Sequence, residues 1–317
     1  MIHKNLKEDL EKENKVITLE APSYRGSDLK NYFERLSSLG IFDRVTYMNI
    51  CNNPIGKVHI DPLPISYNLV ENYSISPIAH LTCKNSTLSS IQRWLLGADS
   101  LGINNLLVVS GDHGIGDYKE EHTPKYMNSL KMIEGIKKYL NQGFLMPDYS
   151  KSASDDPNSQ YEKYIDNPTE FTVGGVVIPG REGEIRYTKR KIEAGVDFLQ
   201  TQITYDKEKI SKFIKRLVEE VESCPPILVS IRPVSSFEEI SYIHENIPEV
   251  HVPEKVREKV RNEGDVDSAA VKIAVDTFTY IRDSLKDDSS EVNLGIHIIP
   301  GNNYKLAKKV IDEFEEI

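Results

Sequence analysis

The feature that most constrains this chain is a rhythm. Short apolar runs recur eight times, and each is followed by a longer amphipathic stretch. The runs are Val16 to Ala21, Asp43 to Ile50, Pro77 to Cys83, Asn104 to Asp112, Phe171 to Pro179, Asp197 to Tyr205, Pro226 to Val234 and Leu294 to Pro300. Most read as near-continuous apolar segments rather than alternating ones, the texture of strands covered on both faces of a parallel sheet. The intervening stretches carry helical periodicity, and several end in glycine (SLG, LNQG, EAG) just before the next strand, a left-handed stop signal. Strict strand–helix alternation points to a parallel α/β fold. Eight units filling almost the whole length favour a closed (β/α)8 TIM barrel over a doubly wound open sheet. The expected organisation is one barrel over residues 1–317. A polar loop rich in Ser, Asp, Asn and Pro interrupts it at about 147–168. Two further helical stretches are expected after the helix that follows the seventh strand.

Bulk properties narrow the function. With 39% hydrophobic and 28% charged residues the chain reads as an ordinary globular protein. A formal net charge of −10 argues against a nucleic-acid or anionic-membrane binder, since neutralising phosphates needs clustered Lys and Arg. Cys51, Cys83 and Cys224 form no C-x-x-C pair, so no metal site is expected and reduced cytosolic thiols are. No run of 18 apolar residues and no apolar leader segment is present, so a cytoplasmic protein with no membrane span is expected.

In such a barrel the chemistry gathers at the carboxyl ends of the strands. The polar residues assigned there are Glu20; Thr46, Tyr47 and Asn49; His80 and Thr82; Ser110, Asp112 and His113; Gln202 and Thr204; Arg232; and His297 and Asn302. Glu20 lies between apolar residues near a strand end, where desolvation would raise its pKa and suit it to general acid work. Pairing with a rim Lys or Arg is the structural alternative. His80 and Gln202 read equally as ligand contacts or as satisfied interior groups, and Arg232 as an anion site or a carboxylate partner. The basic TKRK cluster, Thr188 to Lys191, opens a helix. It is either a solvated face or a phosphate site with Lys191. No G-x-G-x-x-G follows the first strand, which disfavours a Rossmann dinucleotide site.

Two segments, AHLTC (Ala79 to Cys83) leading into LGINNLLVVSGD (Leu101 to Asp112), and KRKIEAGVDFLQTQITYD (Lys189 to Asp206), resemble the methylenetetrahydrofolate reductase family. RVTY (Arg44 to Tyr47), FTVGGVVIP (Phe171 to Pro179), RPVSSF (Arg232 to Phe237) and Glu20 follow in family order. The resemblance implies flavin-dependent reduction of 5,10-methylenetetrahydrofolate, or a related tetrahydropterin, to the 5-methyl form. That reaction belongs to one-carbon metabolism and methionine biosynthesis. It implies Glu20 as catalytic acid, Asp112 as a catalytic group beside both flavin and pterin, and Gln202 as a substrate contact. It implies FAD held by Thr46, Tyr47, His80, Asp112, Lys191 and Glu184, with NADH or NADPH as electron donor and a homo-oligomeric assembly. The chain departs from the family pattern at Ser110, Ile178, Ile299 and Asn303. Those departures keep open an alternative, a non-redox pterin-binding methyltransferase or a non-catalytic partner subunit on the same barrel.

Overall fold

The computed structural model describes residues 4–12, 15–84, 86–111, 127–149, 163–247, 249–286 and 292–316. The rhythm of the sequence closes into a barrel of eight parallel strands in sequential order. They are β1 (Ile17–Glu20), β2 (Tyr47–Ile50), β3 (Ser76–Thr82), β4 (Asn105–Val109), β5 (Thr172–Val177), β6 (Phe198–Thr201), β7 (Ile227–Ile231) and β8 (Leu294–Ile298). Closure is made by β1 against β8, with Thr18 opposite His297.

The helices stop and start where side-chain chemistry dictates. A first helix, α1 (Leu6–Lys12), precedes the barrel, and α2 (Leu29–Ser38), α3 (Pro62–Tyr73), α4 (Leu88–Ser100) and α5 (Ser129–Lys138) follow the first four strands. Next come α6 (Glu184–Glu193) and α7 (Lys207–Glu220). The expected trio α8 (Phe237–Asn246), α9 (Glu254–Asn262) and α10 (Val266–Leu285) follows β7, and α11 (Tyr304–Glu316) ends the chain. Asp28, Asp61, Thr87, Asn128, Asp206, Ser236 and Asp265 each accept a bond from a first-turn backbone N–H. Such caps are worth about 1 kcal/mol apiece. Gly195, with φ 96°, turns the chain out of α6 into β6, a conformation L side chains resist. No helix among the described residues is long and apolar enough to cross a membrane.

The two ends of the barrel differ in kind. At the amino end, α1 lies across the opening, and Leu6 and Leu10, one helical turn apart, pack on Tyr47, Ile78, Phe198 and Leu228. The Phe198 ring fills the space that a Cβ on Gly174 would take, so β5 passes close beneath it. Asn105 Oδ1 accepts from Leu6 N at 3.0 Å, and the Tyr47 hydroxyl donates to Asp9 at 2.7 Å, so polar bonds hold the plug in place. Each fully buried leucine there contributes roughly 1.5–3 kcal/mol.

The second apolar run was expected to be strand from Asp43, but the ladder begins at Tyr47, and Phe42–Arg44 forms a 3-10 turn. Arg44 is drawn away to Asp312 and Glu315 of α11. The ladder of β6 likewise ends at Thr201, leaving Gln202 to Tyr205 in the loop above. Of the polar loop, residues 150–162 lie outside the described residues. Its return is fastened by an antiparallel bridge between Phe144 and Tyr164.

Candidate active site at the carboxyl mouth of the barrel

Above the apolar plug the interior turns polar. Asn49 Nδ2 donates to Gln200 Oε1 at 3.0 Å and lies 3.1 Å from His80 Nε2. β2 and β6 are not neighbours, so the Asn49–Gln200 bond crosses the inside of the barrel and forms a floor beneath the mouth. A second pair, Thr18 Oγ1 and His297 Nδ1 at 2.8 Å, links β1 to β8 at the closure. Burial pushes the His80 pKa down to about 4. His297 falls to about 3 through burial and, secondarily, the neighbouring His80. Both rings are therefore neutral near pH 7. Asn49 Oδ1, Ser230 Oγ and His297 Nε2 are buried here with no hydrogen-bond partner among the described residues. Uncharged donors and acceptors of this kind suit the heteroatom edge of a planar heterocycle, or ordered water.

Glu20 ends β1 beside this floor, in register with Asn49. It is part-exposed at the rim, yet burial of its carboxyl is the main effect and raises its pKa. A hydrogen bond from Cys51 and the charge of Arg232 pull the other way. The Tyr304 hydroxyl donates to the Glu20 carbonyl at 2.9 Å and fixes the backbone. Arg232 resolves toward pairing: its Nη2 meets Glu239 Oε1 at 2.8 Å.

The remaining expected residues divide by position. Gln202 stands at the same rim, above β6. Its Oε1 accepts from Ile203 N at 2.9 Å, and it lines a small cleft with Pro179, Thr204, Lys209 and His251. His80 belongs to the floor. Glu184 and Lys191 meet above β5. Glu184, 2% exposed, accepts from Ile178 N at 3.1 Å and from Arg181 Nε at 2.7 Å, and faces Lys191 at 3.9 Å. Lys191 donates to the Val176 carbonyl, and burial pushes its pKa down to about 8. The start of α6 is thus already occupied by a carboxylate; TKRK, expected to open the helix, lies in its second half, and Lys191 in the last turn reaches back to that carboxylate. Thr46 and Tyr47, assigned to the carboxyl rim from the sequence, are corrected. They lie at the amino end of β2, and Tyr47 is held by α1. A strand that begins at Tyr47 points its later residues, Asn49 and then Cys51, toward the mouth instead. Asp112 and His113 lie outside the described residues, so their placement is not part of this geometry. Ser110 hydrogen-bonds Ser129 at 3.4 Å, Thr204 is buried, and Asn302 is exposed.

Thr18, Gln200, Ser230, Cys51 and Tyr304 belong to the site and escape a sequence reading. Gln200 carried a signal of its own, an amide inside an otherwise apolar strand run. Asn303, at a family arginine position, serves α11 by accepting from Leu306 N at 3.0 Å and donating to Ser235 at 3.0 Å.

A closed (β/α)8 barrel with an acid at its carboxyl mouth over a neutral polar floor defines a class, the barrels whose chemistry sits at the carboxyl ends of their strands. Within it, the profile of the family described as methylenetetrahydrofolate reductase matches residues 5–315, and the chain belongs to that family. It is 24% identical over 213 residues to "Methylenetetrahydrofolate reductase (NADH) 1" of Zea mays, covering 66% of this chain and 33% of that protein. It is 20% identical over 263 residues to "Probable methylenetetrahydrofolate reductase (NADPH)" of Caenorhabditis elegans, covering 81% and 36% respectively. The chain thus spans about a third of the length of the curated relatives it matches. Among solved structures, an uncharacterized Clostridium thermocellum protein that "binds two copies of 5-methyl-5,6,7,8-tetrahydrofolic acid" shares the fold. Its TM-score is 0.68, its identity 15%, and 98% of each chain is covered.

Proposed function

We propose that this chain reduces 5,10-methylenetetrahydrofolate, or a closely related tetrahydropterin, to the 5-methyl form, with Glu20 as the general acid. The observation that carries the reading is Glu20 itself. It is a carboxyl of raised pKa at the catalytic end of the barrel, in a chain of this family. A carboxyl whose pKa is raised by burial holds its proton more readily than an exposed one and can place it on the departing nitrogen as the five-membered ring of the substrate opens. The electron pair of the broken C–N bond takes that proton, Glu20 is left as carboxylate, and the exposed iminium carbon becomes the hydride acceptor. Asn49, His80 and Gln200 would hold the flat ring from below through neutral hydrogen bonds. Gln202, in the loop above β6, would add a pterin contact, and Asp112 carries the role that the family resemblance implies.

A flavin, when bound, would supply the hydride, and the relatives named for NADH and NADPH support a nicotinamide nucleotide as the electron donor. His80 and the buried polar atoms of Ser230 and His297 beside it are the floor groups that would meet the edge of a flavin ring. The tail of FAD fits less directly, because Lys191 and Arg181 are engaged by Glu184 and must turn outward to meet a pyrophosphate.

That occupancy, with Ile178, Ile299 and Asn303 at their positions, favours one second reading: a barrel that binds a methylated pterin without redox chemistry. The Clostridium thermocellum neighbour, which binds 5-methyltetrahydrofolate, supports the ligand class under either reading. Purified protein supplied with FAD, NADH or NADPH and 5,10-methylenetetrahydrofolate separates them. Product of 5-methyl mass supports the reductase. Tight binding of 5-methyltetrahydrofolate with no flavin uptake and no product supports the second reading.

A further inference from the structure

Glu20 and Asn49 are register partners on adjacent strands. Two residues beyond Asn49 the alternation of strand side chains returns to the same face, and the residue there is Cys51. Its Sγ lies 3.2 Å from Glu20 Oε2. The other groups near the acid are committed elsewhere. The Tyr304 hydroxyl bonds the Glu20 carbonyl and not the carboxyl, and Arg232 points its Nη2 at Glu239. Among the described residues, the thiol is the donor that touches the carboxyl group itself.

We propose that Cys51 is a positioning residue for Glu20: its thiol fixes the orientation of the carboxyl group and gives modest support to its ionised form. The choice of donor matters. A guanidinium in contact would hold the carboxyl ionised and useless as an acid, and Glu239 keeps Arg232 from doing so. Full burial with no donor would leave an acid slow to release its proton. A thiol, a weak donor, sits between these extremes. Its mechanistic meaning rests on the reductase reading, but the contact can be tested without turnover.

The experiment is a pH titration of the Glu20 carboxyl by 13C NMR in the full chain labelled at glutamate side-chain carboxyls, with Glu20→Gln assigning the signal. In Cys51→Ala the Glu20 titration should move upward by about 0.5–1 pH unit, the loss of one weak hydrogen bond to a charged group. Cys51→Ser, which restores a donor, should titrate at or below the wild-type value. A Cys51→Ala curve that overlays wild type, or a Ser variant that shifts with the Ala variant, overturns the proposal. If Cys51→Ala does not fold, iodoacetamide labelling of Cys51, read by peptide mass spectrometry, tests the same contact from the other side. Glu20→Gln removes the neighbouring negative charge and should speed labelling by about threefold or more at pH 8. Equal rates overturn the proposal. Absence of 5-methyl product with the NMR shift intact would remove the reductase reading and leave the Cys51–Glu20 coupling standing.

Discussion

The two ends of one barrel have been built from the same strands by opposite chemistry. At the amino end, Leu6, Leu10, Tyr47, Ile78, Phe198 and Leu228 make a packed apolar plug. A few residues further along the same strands stand Asn49, His80, Gln200, Ser230 and His297, and then Glu20 and Cys51. The plug gains stability from area removed from water. The floor and rim pay for desolvated polar atoms, three of them without a hydrogen-bond partner among the described residues. Stability is therefore concentrated at one end and chemistry at the other, and substitutions should sort by end.

The largest expected effect is at the rim. Glu20→Gln should lower turnover by roughly 100-fold or more, the usual contribution of a general acid, without loss of folded protein. Glu20 has a raised pKa in the folded chain, so stability is lost as the pH rises from the ordinary carboxylate value through the raised one, and the loss is complete above it. The Gln variant should melt at or above wild type at pH 8, read by thermal unfolding. A variant that keeps full activity removes Glu20 from the reaction.

Next in size is the plug. Leu10→Ala should cost about 2–5 kcal/mol of unfolding free energy, from the lost transfer energy and the cavity left behind. Affinity of the folded fraction for 5-methyltetrahydrofolate should be unchanged. A loss of affinity with little loss of stability would erase the distinction between the ends.

The floor has its own signature in acid. His80 and His297 are held neutral, with pKa values of about 4 and about 3, below the ordinary histidine value of 6.5. The unfolded chain binds their protons first, so their contribution is complete above about pH 6.5 and is lost as the pH falls toward 4 and 3. Stability should decline by roughly 1 kcal/mol per pH unit for each ring over that window. His80→Gln should flatten the slope in denaturant titrations at pH 7, 6 and 5. An unaltered slope would mean the rings titrate normally and are not buried.

The smallest effect sharpens the boundary. Tyr47→Phe removes the bond to Asp9 and should cost about 1 kcal/mol. Because Tyr47 faces α1, uptake of FAD or pterin should not change in spectroscopic titration. Weakened binding would return Tyr47 to the ligand site.

How much of this was legible beforehand follows from the kind of signal each part leaves. Eight covered strands leave near-continuous apolar runs, and helices leave periodicity, caps and terminal glycines, so the barrel could be read without coordinates. The depth of a residue along its strand leaves no such trace. RVTY looks like a strand ending in polar groups, but the ladder starts at Tyr47, and a shift of a few residues moves Thr46 and Tyr47 to the wrong end of the barrel. Gln200 hides inside DFLQTQITY, where the resemblance directs attention to Gln202. Cys51 meets Glu20, and Tyr304 meets its carbonyl, only after closure brings β1 between β2 and β8, a relation across 284 residues in the second case. The short helix α1 reads as no more than a charged stretch, because only two of its side chains, Leu6 and Leu10, are apolar and buried.

On the proposed reading, the pterin reacts at the carboxyl mouth, over the Asn49–His80–Gln200 floor and within reach of Glu20. A crystal structure of the chain with 5-methyltetrahydrofolate bound tests it most directly. The account requires the pterin ring at that mouth, within hydrogen-bond distance of the Glu20 carboxyl. A ring lodged at the amino end near α1, or at the mouth with Glu20 turned away and out of reach, would contradict it.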